Sequence, residues 1–104
     1  MTDITHYIYK ISPTRMEMLA AGATPVEEEV IADHYSYLKG LHDQGVVTFA
    51  GRTINTEENT FGIVVLKADS EAAAHKIMNE DPAVAEGIMH AELYPFQVAL
   101  DICR

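Results

Sequence analysis

Basic residues are scarce in this chain: seven lysines and arginines stand against sixteen aspartates and glutamates, a formal net charge of −9. That balance repels phosphate backbones. Nucleic acid is not an expected partner, and an anionic ligand would need a locally arranged pair of arginines. Cysteine is scarcer still. Cys103 is the single one, which excludes an internal disulfide framework and any cysteine-rich metal site. Next to last in the chain, it reads as a surface thiol at a frayed end. Long apolar runs are missing too. The longest aliphatic stretch, Ile63-Val64-Val65-Leu66, falls far short of the ~20 residues a membrane helix needs, so no membrane partner is expected. The opening Met1-Thr2-Asp3-Ile4-Thr5-His6 has neither the basic end nor the apolar stretch of a secretion signal. The expected location is the cytoplasm.

Two kinds of site are absent as patterns. No His-x-x-x-His or His-Glu-x-x-His spacing occurs among the five histidines, and no Gly-x-Ser-x-Gly elbow is present. His90-Ala91-Glu92 puts two possible ligands on one strand face, an arrangement that alternation alone produces often. No metal and no other cofactor is therefore expected.

What is present makes one domain over residues 1–104. A chain of this size buries a little over ~60% of its unfolded surface, which leaves little to spare. Residues 5–12 alternate apolar and polar positions and predict a strand, stopped by Pro13. Residues 13–23 read as a long connection. Thr24-Pro25-Val26-Glu27 matches a capping box with proline at the first helical position. The helix it opens is expected to run to about Gln44, with Gly45 as its left-handed stop. Gly40 points away from its apolar stripe.

Residues 46–50 predict a short strand closed by Gly51, and residues 60–67 a strongly apolar one, joined through a polar turn as an antiparallel hairpin. Ser70 can cap a second helix. Asp81-Pro82 restarts a short helical turn that Gly87 ends. A final strand is expected over roughly residues 91–101, with Pro95 implying an edge or a bulge. This order predicts an α+β, ferredoxin-like βαββαβ fold: a four-stranded antiparallel sheet with two main helices on one face. Ile63 and Val65 oppose Val64 and Leu66, and Ile8 opposes Tyr7 and Tyr9, so the central strands are apolar on both faces. A second subunit packed sheet to sheet would cover the free one, and a homodimer is expected.

Chemistry concentrates on one helix. With Ile31 set to zero, Tyr35 falls at about 40°, Leu38 at about 340° and Leu41 at about 280°, and His34 lies inside that stripe at about 300°. It is either a satisfied core histidine or a catalytic group in a dry pocket. His42, at about 20° in the last turn, reads as structural, and His75, among alanines, as exposed. Asp81 is by local pattern a helix N-cap. A carboxylate has two oxygens, however, so one can cap while the other orients an imidazole. Such a pair would fix the tautomer and leave the far ring nitrogen free to move a proton.

The succession His34-Tyr35-Ser36-Tyr37-Leu38, then Gly45, then Ala50-Gly51 resembles the His-x-x-Tyr-Leu…Gly…Ala-Gly pattern of the YCII-related (YciI-like) family. Asn79-Glu80-Asp81-Pro82-Ala83-Val84-Ala85-Glu86-Gly87 resembles its Asp-Pro-Phe-x-x-x-Gly segment, and Glu92-Leu93-Tyr94-Pro95-Phe96 its closing strand. The resemblance implies a dimeric α/β barrel with a His–Asp site at His34 and Asp81. Arg15 is similar to an arginine often found in the first connection, while Ala83 replaces the usual phenylalanine. A characterised relative is a dehydrochlorinase acting on a chlorinated hydroxyquinol.

Two functions follow as expectations. In the first, the chain is a small cofactor-independent lyase or isomerase acting on a small, anionic or phenolic molecule. His34 is then the base or acid, Asp81 its partner, Arg15 or Arg52 the group that binds an oxyanion, and Tyr37 a ligand contact at the edge of the stripe. In the second, a dimeric module uses the same pocket to bind a small ligand without turnover, or the pair is purely structural.

Overall fold

The computed structural model describes residues 6–15, 22–55 and 59–100. Thr5, most of the first connection including Met16, Met18 and Leu19, and Cys103 lie outside them. Seven elements follow in order: β1 (His6–Pro13), α1 (Pro25–Asp43), β2 (Val47–Arg52), β3 (Gly62–Lys67), α2 (Glu71–Glu80), α3 (Pro82–Ala85) and β4 (Met89–Phe96). The strands form one sheet in the order β2-β3-β1-β4, and each neighbouring pair is antiparallel. This is the expected ferredoxin-like α+β fold.

One sheet face makes the core. Tyr7, Tyr9 and Ile11 alternate inward from β1 and lie opposite Leu66, Val64 and Gly62 of β3. Ala74 and Met78 of α2 close over them, with Leu38 and Leu41 of α1 packed alongside. At Gly62 the flanking strands leave so little room that a Cβ would sit 3.2 Å from both the Gly51 carbonyl oxygen of β2 and Ile11 Cγ1 of β1.

The capping box at α1 is complete. Thr24 Oγ1 accepts from the Glu27 N–H at 3.2 Å, and Glu27 Oε1 accepts from the Thr24 N–H at 2.8 Å. Gln44 caps the other end, and Gly45 follows at φ 80°, a left-handed value that favours glycine.

Three expectations need correction. Tyr35 is 67% exposed, although the stripe was centred to include it. The inward side chains of α1 are Glu27, Val30, His34, Tyr37, Leu38 and Leu41, a set centred at about 290° rather than near zero. Strand β2 runs on through Gly51 to Arg52, because both residues pair with β3 opposite Ile63 and Gly62. Strand β4 starts earlier and ends earlier than residues 91–101. Met89 pairs with Pro13, while Phe96 pairs with His6, the first described residue of β1. Pro95 does lie on an edge strand.

A register shift separates Val47 from Phe49 in β2, leaving Thr48 as an extra residue against β3. The sheet face away from the helices carries Ile8, Ile63 and Val65, flanked by Phe49 at 59% and Tyr94 at 47% exposure. Lys10 Nζ stands 5.0 Å over the Phe61 ring on the same side.

Candidate active site

Asp81 sits where two helices meet. It ends α2 and, in an extended conformation, begins α3, whose Ala83 N–H donates to Asp81 Oδ1 at 3.0 Å. Pro82 needs no partner for a backbone N–H and fits the first helical position. The Asp81 side chain is fully buried. A buried carboxylate must be matched by donors, and it has two more. The Tyr9 hydroxyl donates to Oδ2 at 2.8 Å, and His34 Nδ1 lies 2.7 Å from Oδ1 and 2.8 Å from Oδ2.

His34 reaches this carboxylate from the middle of α1, at about 300° on a helix whose buried face centres at about 290°. Its side chain is 15% exposed. With Nδ1 held by Asp81, Nε2 on the opposite edge of the ring is the nitrogen left for solvent or ligand. His34 lines an open cleft of about 950 Å³ between α1 and the sheet, with Ile31, Leu38, Val47 and Met89 among its apolar walls. The cleft also collects positive charge in an acidic protein. Arg52 and Lys39 line it together with His42, against one acid, Asp43, which accepts from Lys39 Nζ at 3.2 Å. Arg52 arrives there because it pairs with Gly62, whose missing side chain would point at Ile11.

The other two expected contacts go elsewhere. Arg15 forks onto Glu27, Nε to Oε2 at 2.9 Å and an Nη to Oε1 at 2.5 Å, and is not among the cleft-lining residues. That hydrogen bond first, with those from Thr24, holds the Glu27 carboxyl down to about 2. The pair of arginines thought necessary for an anion is thus reduced, at the cleft, to Arg52. Tyr37 also stays out of the cleft. Its hydroxyl donates to the Ile77 carbonyl at 2.7 Å and ties α1 to α2. Burial, then the charges of Glu80 and Asp81, push the phenol up to about 12.

Tyr9 was not singled out from the sequence. Its signal was present, since a tyrosine on the inward face of a strand needs a partner for its hydroxyl. Burial, then the Asp81 charge and hydrogen bond, push its phenol far above the ordinary range. It therefore remains a donor wherever the fold survives. His90 and Glu92 lie on the face away from the helices, where Glu92 Oε2 accepts from the Tyr94 hydroxyl at 2.6 Å. Among the described residues no group of three or more His, Cys, Asp or Glu side chains is placed to hold a metal ion. No helix of the described residues is long and apolar enough to cross a membrane.

Similar folds occur among solved structures. The 5-chloro-2-hydroxyhydroquinone dehydrochlorinase TftG from Burkholderia phenoliruptrix, in complex with 2,5-dihydroxybenzoquinone, superposes with a TM-score of 0.62 at 17% identity. The match covers 88% of this chain and 93% of that one. Uncharacterized protein TM1266 from Thermotoga maritima gives a TM-score of 0.53 at 14% identity, over 89% of this chain and 98% of its own. At these identities the likeness is one of fold. No curated protein sequence matches the chain. The sequence profile of the YCII-related domain, however, matches residues 10–97, nearly the whole molecule. The chain belongs to the YCII-related domain family.

Proposed function

We propose that this protein is a small proton-transfer enzyme of the lyase or isomerase type, acting on a small anionic or phenolic molecule in the cleft beside His34. The observation that carries this reading is a cleft-lining imidazole whose Nδ1 is held by a fully buried carboxylate. In the proposed reaction His34 Nε2 takes a proton from the substrate, and the Asp81 carboxylate stabilises the imidazolium that forms. The electron pair left behind either expels a leaving group, as in an elimination, or returns to a proton from His34 at a neighbouring atom, as in an isomerisation. Arg52 supplies positive charge for the oxyanion or enolate oxygen. Arg15 serves this site indirectly by fixing the start of α1 through Glu27. The dehydrochlorinase named among the similar folds supports the class of substrate, a hydroxylated ring, and no closer identity.

We also place a homodimer in this reading. The apolar side chains on the uncovered sheet face, Phe49 and Tyr94 among them, form a surface that a second copy would bury.

A second reading is favoured by one observation. Asp81 already caps α3 and accepts from Tyr9, so its contact with His34 also fits a structural pair beside a non-catalytic binding cleft. Thermal shift with a panel of small phenolates, including 2,5-dihydroxybenzoquinone, on wild type and His34→Ala separates the readings. A compound that stabilises wild type alone and is then turned over supports the enzyme. Stabilisation of wild type without turnover supports the binding module, and equal response of both proteins refutes a role for His34. Turnover is expected to survive chelator; loss restored by zinc or magnesium would redirect attention to His90 and Glu92.

A further inference from the structure

One buried polar group next to the site has no part in the reaction just described. Tyr9 has no exposed surface, and its hydroxyl spends its proton on Asp81 Oδ2 at 2.8 Å across 72 residues of sequence. Asp81 Oδ2 is also 2.8 Å from His34 Nδ1, so Tyr9 and His34 share one oxygen.

We infer that Tyr9 is a positioning residue of this site: its hydroxyl fixes the Asp81 carboxylate and draws part of its charge away from the imidazole, which keeps His34 able both to take up and to release a proton. The assignment rests on the proton-transfer reading for its use in catalysis, but its physical content stands without a substrate. A bare buried carboxylate against an imidazole favours the imidazolium strongly and would make it a poor acid. A hydroxyl dipole aimed at that carboxylate, its positive end forward, offsets part of the field that His34 feels. It also leaves the carboxylate no freedom to rotate. The Ala83 N–H holds Oδ1 and Tyr9 holds Oδ2, so the plane of the group is set before the histidine meets it.

Among the described residues, titratable and charged groups approach His34 from two sides. From the core side they are Asp81, Tyr9 and the Tyr37 phenol, whose proton goes to Ile77. From the cleft side they are Arg52, Lys39, His42 and Asp43. Removing the Tyr9 hydroxyl touches none of the cleft-side groups, so a change in His34 is assigned to Tyr9 and the carboxylate it holds.

The test is the His34 titration midpoint, followed by NMR of the labelled imidazole in the full chain without ligand. Tyr9→Phe is expected to raise the midpoint by roughly 0.5–1 pH unit, and Asp81→Asn to lower it. A merely structural Tyr9 would lower the melting temperature and leave the His34 midpoint unchanged, to within ~0.2 unit, and that result overturns the assignment. If Tyr9→Phe does not fold, wild type still decides. The Tyr9 ring carbon that bears the hydroxyl is expected to shift with the same midpoint as His34, and a flat Tyr9 signal through that range overturns the proposal. Absence of turnover with every phenolate tried would sink the enzyme reading and leave this result untouched.

Discussion

Replacing Asp81 by alanine removes three hydrogen bonds at once, and the loss can be worked through donor by donor. The Ala83 N–H loses its cap, which costs about 1 kcal/mol. The Tyr9 hydroxyl, on a residue with no exposed surface, is left without an acceptor, at about 1–3 kcal/mol. His34 adds less, since its ring borders the cleft and can reach water. The sum is about 2–4 kcal/mol, and at about 4–8 °C per kcal/mol for a domain near this size the melting temperature should fall by roughly 8–32 °C. Asp81→Asn retains an oxygen for the cap and a polar group opposite Tyr9, so about half that loss is expected.

Circular-dichroism melts and urea titrations of both variants, of Tyr9→Phe and of the Tyr9→Phe/Asp81→Ala pair measure these terms. Because the alanine variant orphans the very hydroxyl that Tyr9→Phe deletes, the double variant should be no less stable than Asp81→Ala alone. An Asp81→Ala melt within ~3 °C of wild type, or fully additive losses, would refute the reasoning.

Three further outcomes are expected. The Glu27 carboxyl is held down to about 2, below its unfolded value near ~4.3. Its contribution is thus present above that value and lost as pH falls through about 2, and urea midpoints of wild type and Glu27→Gln should converge on acidification. Gly62→Ala places a methyl 3.2 Å from the Gly51 carbonyl oxygen and Ile11 Cγ1; backbone cannot yield as a side-chain tip can, so a loss of about 1–3 kcal/mol is expected by urea unfolding. Sedimentation at micromolar concentration should give a dimer for wild type and a shift to monomer for Ile63→Glu, whereas a monomeric wild type would sink the sheet-to-sheet assembly.

Features specified by near neighbours were legible in the sequence. The Thr24–Glu27 box, the stop at Gly45 and the Asp81-Pro82 restart each involve residues within a few positions, and each forms as the local chemistry dictates. The face that α1 turns to the sheet was not legible to better than a quadrant. The stripe is broad, and the sheet, not the helix, decides which edge is pressed. Tyr35 therefore lies outside while Tyr37 ties α1 to Ile77. His34 could be named because its angle fits either choice. The Tyr9 contact spans 72 positions, and only a hydroxyl in need of an acceptor hinted at it. Arg15 was misdirected for a simple reason: a buried Glu27 offers a nearer carboxylate than any ligand would.

The extra residue at Thr48 has an effect well beyond its own position. Side chains in a strand change sides at every step, so a single inserted residue reverses the parity of all that follow. Before it, Val47 pairs with Leu66; after it, Arg52 pairs with Gly62 and faces the helices. Counting straight on from Val47 without the insertion would set Arg52 against Phe61, on the opposite side of the sheet. The cation that lines the same cleft as the imidazole is thus a product of counting rather than of sequence motif. Deleting Thr48 would export that charge to the outer face with Arg52 itself intact, and relatives can be sorted by whether they keep the odd residue.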